Sequence, residues 1–233
     1  MNSTIATGGA GTVYLETGLT AAGSTHDIVM AAGSSITTVN QNIALVANGK
    51  IDLRTINAGT GDVSLTAAES INDAKADNLV NITARNLRMI ADSDANGTGS
   101  IGGSDLLNTS DQNVNAIDTA VTLVAARSAQ GIYIREADDI VVGDTGPITV
   151  KQVNFNSTSP DVIAATLTGF ATSADGPIKL QSVAGNIIVS QAVNANGVGD
   201  VLVQTLSAGS VTLNASVQSG TGHISIKSLT TSH

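Results

Sequence analysis

The sequence predicts an all-β fold, a parallel β-helix (β-solenoid) built from rungs of about 23 residues with three short strands each. Three observations predict it. The first is internal repetition: Gly176 to Val198 reads GPIKLQSVAGNIIVSQAVNANGV, Gly199 to Thr221 reads GDVLVQTLSAGSVTLNASVQSGT, and Gly222 opens a third copy, GHISIKSL. Self-similarity at a fixed period of 23 residues marks a repeat architecture. The second is period-2 alternation of apolar and polar residues, as in Val63-Ser64-Leu65-Thr66 and Val211-Thr212-Leu213-Asn214, which describes half-buried strands. The third is turn chemistry, since Gly, Asn, Asp and Ser close nearly every run.

Taken in chain order, the short unit Gly-x-[Ile/Val]-x-[Leu/Val] first occurs at Gly11 (GTVYLETGLTAAGSTHDIVMA) and again at Gly49 (GKIDLRTINAGTGDVSLTA). A looser version starts at Gly131 (GIYIREADDIVVGDTGPITV). Within the 23-residue copies the pairs Ile178/Leu180, Val201/Val203 and Ile224/Ile226 form one side. The pairs Ile187/Val189 and Val211/Leu213 form a second, and Val193 and Val217 a third. Small Ala67, Ala68, Ala195 and Ala215 suit the corners. One rung cannot bury its own apolar face, so stability has to come from stacked neighbours. About ten rungs spaced by about 4.8 Å make a rod of roughly 48 Å. The competing architecture, a sandwich of hairpins, needs two-residue Asn-Gly or Asp-Gly loops that are sparse here. Val114 to Ala126 fits a helix through Ile117, Val121 and Val124, but Val121-Thr-Leu-Val also fits the strand template, and strand is preferred.

The chain reads as a single solenoid segment over residues 1–233, with loop insertions near 92–118 and 154–164. The latter lengthens the step from Gly146 to Gly176 to 30 residues. Both ends look like interrupted rungs, which points to an excised piece of a longer repeat protein or to end-to-end association through exposed strand edges.

Composition excludes several function classes. With 19 acidic and 10 basic side chains the net charge is −9, against nucleic acid and anionic membrane, which call for clustered Lys and Arg. Four aromatics (Tyr14, Tyr133, Phe155, Phe170) are too few for base stacking. The absence of Cys excludes disulfides and thiolate metal sites. No apolar stretch approaches the length of a membrane span, and Met1 to Ala10 does not read as a signal peptide.

Runs such as GDVSLTAAESI, GKIDLRTINAGTG and GSVTLNASVQSGTG resemble the repeats of filamentous-haemagglutinin-like adhesins and related giant bacterial surface or secreted proteins. The resemblance covers about three quarters of the chain, leaving out the insertions. It implies a right-handed parallel β-helix shaft, an extracellular or bacterial cell-surface location, and no catalytic residues. No Pro follows an Asn here, whereas the family's export domain carries an Asn-Pro motif, so the resemblance is to shaft.

Asp92, Asp94 and Asn96, followed by Gly97, match the first half of a calcium loop, in which alternate side-chain oxygens converge on one hard cation. The second half does not match, because the twelfth position is Gly103. Calcium there orders a loop and does no chemistry; the alternative is an ordinary polar turn. His26-Asp27 lacks any nucleophile elbow and reads as a turn, His223 as solvent-facing, and His233 as terminal. Asp138-Asp139 is the pair to consider for polysaccharide cleavage, set against a solvated turn before Ile140. Asn57 and Asn194 occupy turns where amides of successive rungs can stack.

The expected function is therefore a non-catalytic structural or adhesive shaft, whose insertions contact a host or neighbouring cell surface or an extracellular polysaccharide. The alternative is a polysaccharide-degrading β-helix enzyme or phage-spike-like depolymerase. A groove with two or three carboxylates and an Arg or Lys on adjacent rungs favours it.

Overall fold

The structure is a computed structural model that describes residues 3–18, 26–75, 77–105 and 113–229. Among these it is all-β, with 23 strands and no helix. Nearly every strand pairs in parallel with the strand one turn earlier and one turn later. Side chains alternate across each strand, so the registers define four columns that face the interior.

The first column is Ile28, Ile51, Ile71, Ile101, Ile132, Ile178, Val201 and Ile224. The second is Ile5, Ile36, Ile56, Ile82, Thr119, Glu136, Ser182 and Thr205. The third runs from Val13 through Ile43, Val63, Leu87, Val124, Val142 and Val189 to Leu213. The fourth runs from Leu15 through Leu45, Leu65, Met89, Ala126, Phe170 and Val193 to Val217. Eight levels spaced by about 4.8 Å give a stack of roughly 34 Å. The aliphatic members of the middle levels are almost wholly buried in one continuous core. This arrangement is compatible with a β-solenoid.

The register step is not uniform. It is 23 residues from Ile178 to Val201 and from Val201 to Ile224, but 20 from Ile43 to Val63 and from Ile51 to Ile71. It reaches 46 from Ile132 to Ile178, where an insertion intervenes. The two insertions consume chain, which is why eight levels form where ten were expected. At one corner Gly176, Gly199 and Gly222 lie one above another. A Cβ on Gly199 would fall 2.4 Å from the carbonyl oxygen of Gly176, and one on Gly222 2.5 Å from that of Gly199. Close approach of successive levels therefore explains the glycine that opens each repeat.

Several expectations are corrected. Ile148–Lys151, which reads as the start of a rung, pairs instead with Asp161–Ala164 in an antiparallel hairpin. The insertion near 154–164 is thus the tip and return arm of a hairpin that leaves the stack after Val142 and rejoins it at Phe170. It folds back along the outside of the earlier levels. Asn42 Nδ2 donates to the Thr149 carbonyl, the Lys151 amide donates to Thr12 Oγ1, and Arg88 Nε donates to the Ala165 carbonyl. The hairpin's own Ile148 and Val150 are buried against these levels, and outward Ala44 and Ser64 are covered. Residues 117–128, within the 92–118 insertion's end and beyond, form one long strand. No ladder of asparagines forms at either position: Asn57 lies between Thr37 and Thr83, and Asn194 between Ala171 and Gln218. Amides do meet in register at Asn194 and Gln218, and again at Gln181 and Gln204.

Candidate functional site

Polar chemistry is concentrated where the second column changes character, around the strands Ile82–Ile90, Ile117–Ser128 and Ile132–Glu136. Outside the core here, Asp118 and Arg135 are register partners on adjacent levels. Arg135 Nη1 donates to Asp118 Oδ1 at 2.9 Å, with both side chains almost fully removed from solvent. Asn81 is wholly buried beside them: its Oδ1 accepts the Asp118 amide and its Nδ2 donates to Asp73 Oδ1. Lys75 closes the turn above by donating to the carbonyls of Leu79 and Val80. Asp118 Oδ2 and Arg135 Nε are buried without a hydrogen-bond partner, a costly state for charged groups. Burial pushes the Asp118 carboxyl up to about 6; Arg135 acts against that shift and Asp73 adds to it. A cavity of about 180 Å³ adjoins the pair, lined by Asp118, Thr119 and Arg135 and by apolar Val80, Ala137 and Val183. Asn81 thus ties the Asp73 carboxylate to the Asp118 backbone, and the Asp118 carboxyl, paired with Arg135 on the next level, is the group placed to hold a proton near pH 6.

Inside the stack, Glu136 is wholly buried. The reason is local. The strand Ile117–Ser128 runs straight through a corner at which the next level turns away at Ala137-Asp138-Asp139, leaving the Val121 amide without a backbone partner. The Glu136 carboxylate accepts that amide at 3.2 Å, the Ala137 amide at 3.0 Å and the Thr119 hydroxyl at 2.6 Å. Burial raises its pKa to about 7 against these hydrogen bonds. Ser182 and Thr205, next in the column, do similar work at their own corners: Ser182 Oγ donates to the Asp138 carbonyl, and Thr205 Oγ1 accepts the Leu229 amide.

The residues singled out by sequence are not gathered here. Asp92 Oδ1 accepts the Gly97 amide at 3.0 Å, Asp94 Oδ2 accepts from Asn96 Nδ2, and Asn96 Oδ1 accepts from Thr98. Their oxygens serve their own turn. Among the described residues no cluster of three His, Asp or Glu side chains could hold a metal ion. Asp138 and Asp139 are exposed, and Asp139 Oδ1 accepts the Asn186 amide one level on. Asp27 Oδ1 does the same for the Lys50 amide, and His223 lies 3.6 Å from Asp200 in open solvent. His233 lies outside the described residues. The hairpin tip is exposed, with Phe155 fully open to solvent and Val153 about three-quarters so.

Sequence reasoning missed Asp118, Arg135 and Glu136, though one signal was available. Strict alternation from Ile132 and Ile134 carries Glu136 inward, and Ser182 and Thr205 occupy the same place in the later copies.

No protein-family model matches the chain, and neither a curated protein nor a solved structure matches it.

Proposed function

We propose that the chain is a segment of the shaft of a large extracellular bacterial surface protein, akin to filamentous-haemagglutinin-like adhesins. In this reading it is a right-handed parallel β-helix with three-strand rungs of about 23 residues, is non-catalytic, and serves to hold contact regions away from the cell. The observation that carries the reading is the unbroken stacking of four interior columns through eight levels, which makes reach rather than a cleft the molecule's main product. The 23-residue steps of the last levels support the rung size. The hairpin supports the adhesive role, because its apolar tip at Val153 and Phe155 stands clear of the rod. The partner is a host or neighbouring cell surface or an extracellular polysaccharide. Aliphatic Leu213, Ile224 and Ile226 of the last level are partly exposed, which supports end-to-end self-association. At Asp92, Asp94 and Asn96 the internal hydrogen bonds favour a turn over a calcium site.

The test is retention of the purified chain on host-cell monolayers and immobilised extracellular polysaccharides, compared with Phe155→Ser. Loss of retention in the variant supports the reading, and no retention of either protein overturns its adhesive part. Sedimentation at increasing concentration tests the self-association.

The Asp118, Asp73 and Arg135 arrangement favours a second reading, cleavage of a polysaccharide with Asp118 as the acid. Release of reducing or unsaturated ends from a polysaccharide panel, abolished by Asp118→Asn, would establish it in place of the shaft.

A further inference from the structure

The described part of this acidic chain brings two arginines together without a carboxylate. Arg88 and Arg127 stand on the outer face of neighbouring strands, offset by one pleat: Arg88 is the register partner of Ala125, and Arg127 that of Ile90. Arg88 is held rigidly. Its Nε donates to the Ala165 carbonyl under the hairpin arm, and its Nη1 donates to Ser64 Oγ and Thr66 Oγ1, all neutral acceptors. Nη2 takes no part in these bonds. The side chain is more than nine-tenths buried, whereas Arg127 is exposed. Burial and then the like charge of Arg127 pull the Arg88 guanidinium below its usual value, and no carboxylate acts on it. A desolvated cation with a second cation on the next level is an unfavourable arrangement that an anion held by both relieves. Fixed guanidinium forks are suited to oxygen anions in particular.

We propose that Arg88 and Arg127 form a binding site for an oxyanion group, a phosphate, sulfate or carboxylate, beside the root of the hairpin. Arg88 supplies a pre-positioned donor edge and Arg127 closes on the anion from solvent. The inference is independent of the shaft reading. The charge of −9 repels a polyanion at long range, but screening confines that repulsion to about 8–10 Å at physiological salt, so a single anionic group can reach the pair.

The test is thermal unfolding of the whole chain with inorganic phosphate, at ionic strength held constant with chloride. Phosphate should raise the melting temperature in a saturable manner. Arg127→Gln should weaken the apparent affinity about tenfold or more, as expected for loss of a charged hydrogen bond. Lys227→Gln, which removes an exposed charge elsewhere, should leave it unchanged. A phosphate effect that is absent, does not saturate, survives Arg127→Gln or falls equally in Lys227→Gln overturns the proposal. Sulfated dextran set against unmodified dextran separates the sources. Arg127-dependent binding of the sulfated polymer, tighter than phosphate, assigns the group to a polysaccharide, and binding of phosphate alone assigns it to a free ion.

Discussion

The levels before residue 90 and those after residue 130 enclose the same four columns but bend in different places. In the earlier levels the third and fourth columns share one straight strand, as in Ile43–Ala47 and Val63–Ala67, while the first and second are split between short strands such as Ile51–Leu53 and Thr55–Asn57. In the later levels the first and second columns share one straight strand, Ile132–Glu136 or Ile178–Ser182, and the other two are split between Ile187–Val189 and Val193–Ala195. The corner has moved around the rod. The long strands Ile82–Ile90 and Ile117–Ser128 carry the transition by running straight past the old corner. From that point the second column changes from isoleucine to Thr119, Glu136, Ser182 and Thr205. A relocated corner exposes backbone groups to the interior, and buried hydroxyls and a carboxylate satisfy them.

The sharpest way to break this comparison is to truncate one residue on each side of it. Ile56→Ala removes an almost fully buried side chain from the isoleucine part of the second column and should destabilise by about 2–5 kcal/mol in denaturant unfolding. Ser182→Ala, in the polar column, should cost about 1 kcal/mol, the scale of one hydrogen bond. Equal losses would mean that the two halves are held together by the same physics.

A pH titration of stability sharpens the contrast next. Glu136 has an ordinary value of 4.5 in the unfolded chain and one near 7 in the fold. Between those values the folded chain holds a proton that the unfolded chain has released. Its contribution is therefore fully present below 4.5 and is lost as pH rises through about 7. Asp118 acts with the same sign between 3.8 and about 6. The melting temperature should thus fall from mildly acidic to neutral pH. Glu136→Gln should flatten most of the slope, and Asp118→Asn its lower part.

The smallest expected effect is at the Asp92 turn. Asp92 has a positive φ of 59° and caps the Gly97 amide, so Asp92→Ala should cost about 1 kcal/mol. Calcium should leave the unfolding midpoint of the unaltered chain unchanged; a rise would give the turn a cation.

The strands and the aliphatic columns were legible because alternation of Val, Ile and Leu with polar residues is a direct imprint of the pleat, and the 23-residue copies place those residues one above another. The corner shift was not legible, since a run such as Ile-x-Leu looks the same on a straight strand as beside a bend. The hairpin was hidden because Gly-Pro-Ile-Thr-Val has the form of a rung opening, and only its antiparallel partner, Asp161–Ala164, reveals otherwise. Asp118 escaped notice for another reason. It faces outward and is buried only because the turn after Asp73 folds over it, a tertiary fact with no local signature.

Among the described residues, most side-chain oxygens that tie successive levels accept an amide of the level that follows, while Glu136 and Gln130 accept the Val121 and Gly99 amides of the level before. Asn42 accepts the Asp62 amide and Asp62 that of Asn86; Asp139 accepts the Asn186 amide and Asn186 that of Ser210. Each finished turn therefore offers ready-made docking points to the turn that follows it, and none of these four ties points back. A chain emerging amino end first, from a ribosome or an export pore, meets at these turns a template already in place, whereas the Val121 amide and the outer face under the hairpin wait for chain that comes later.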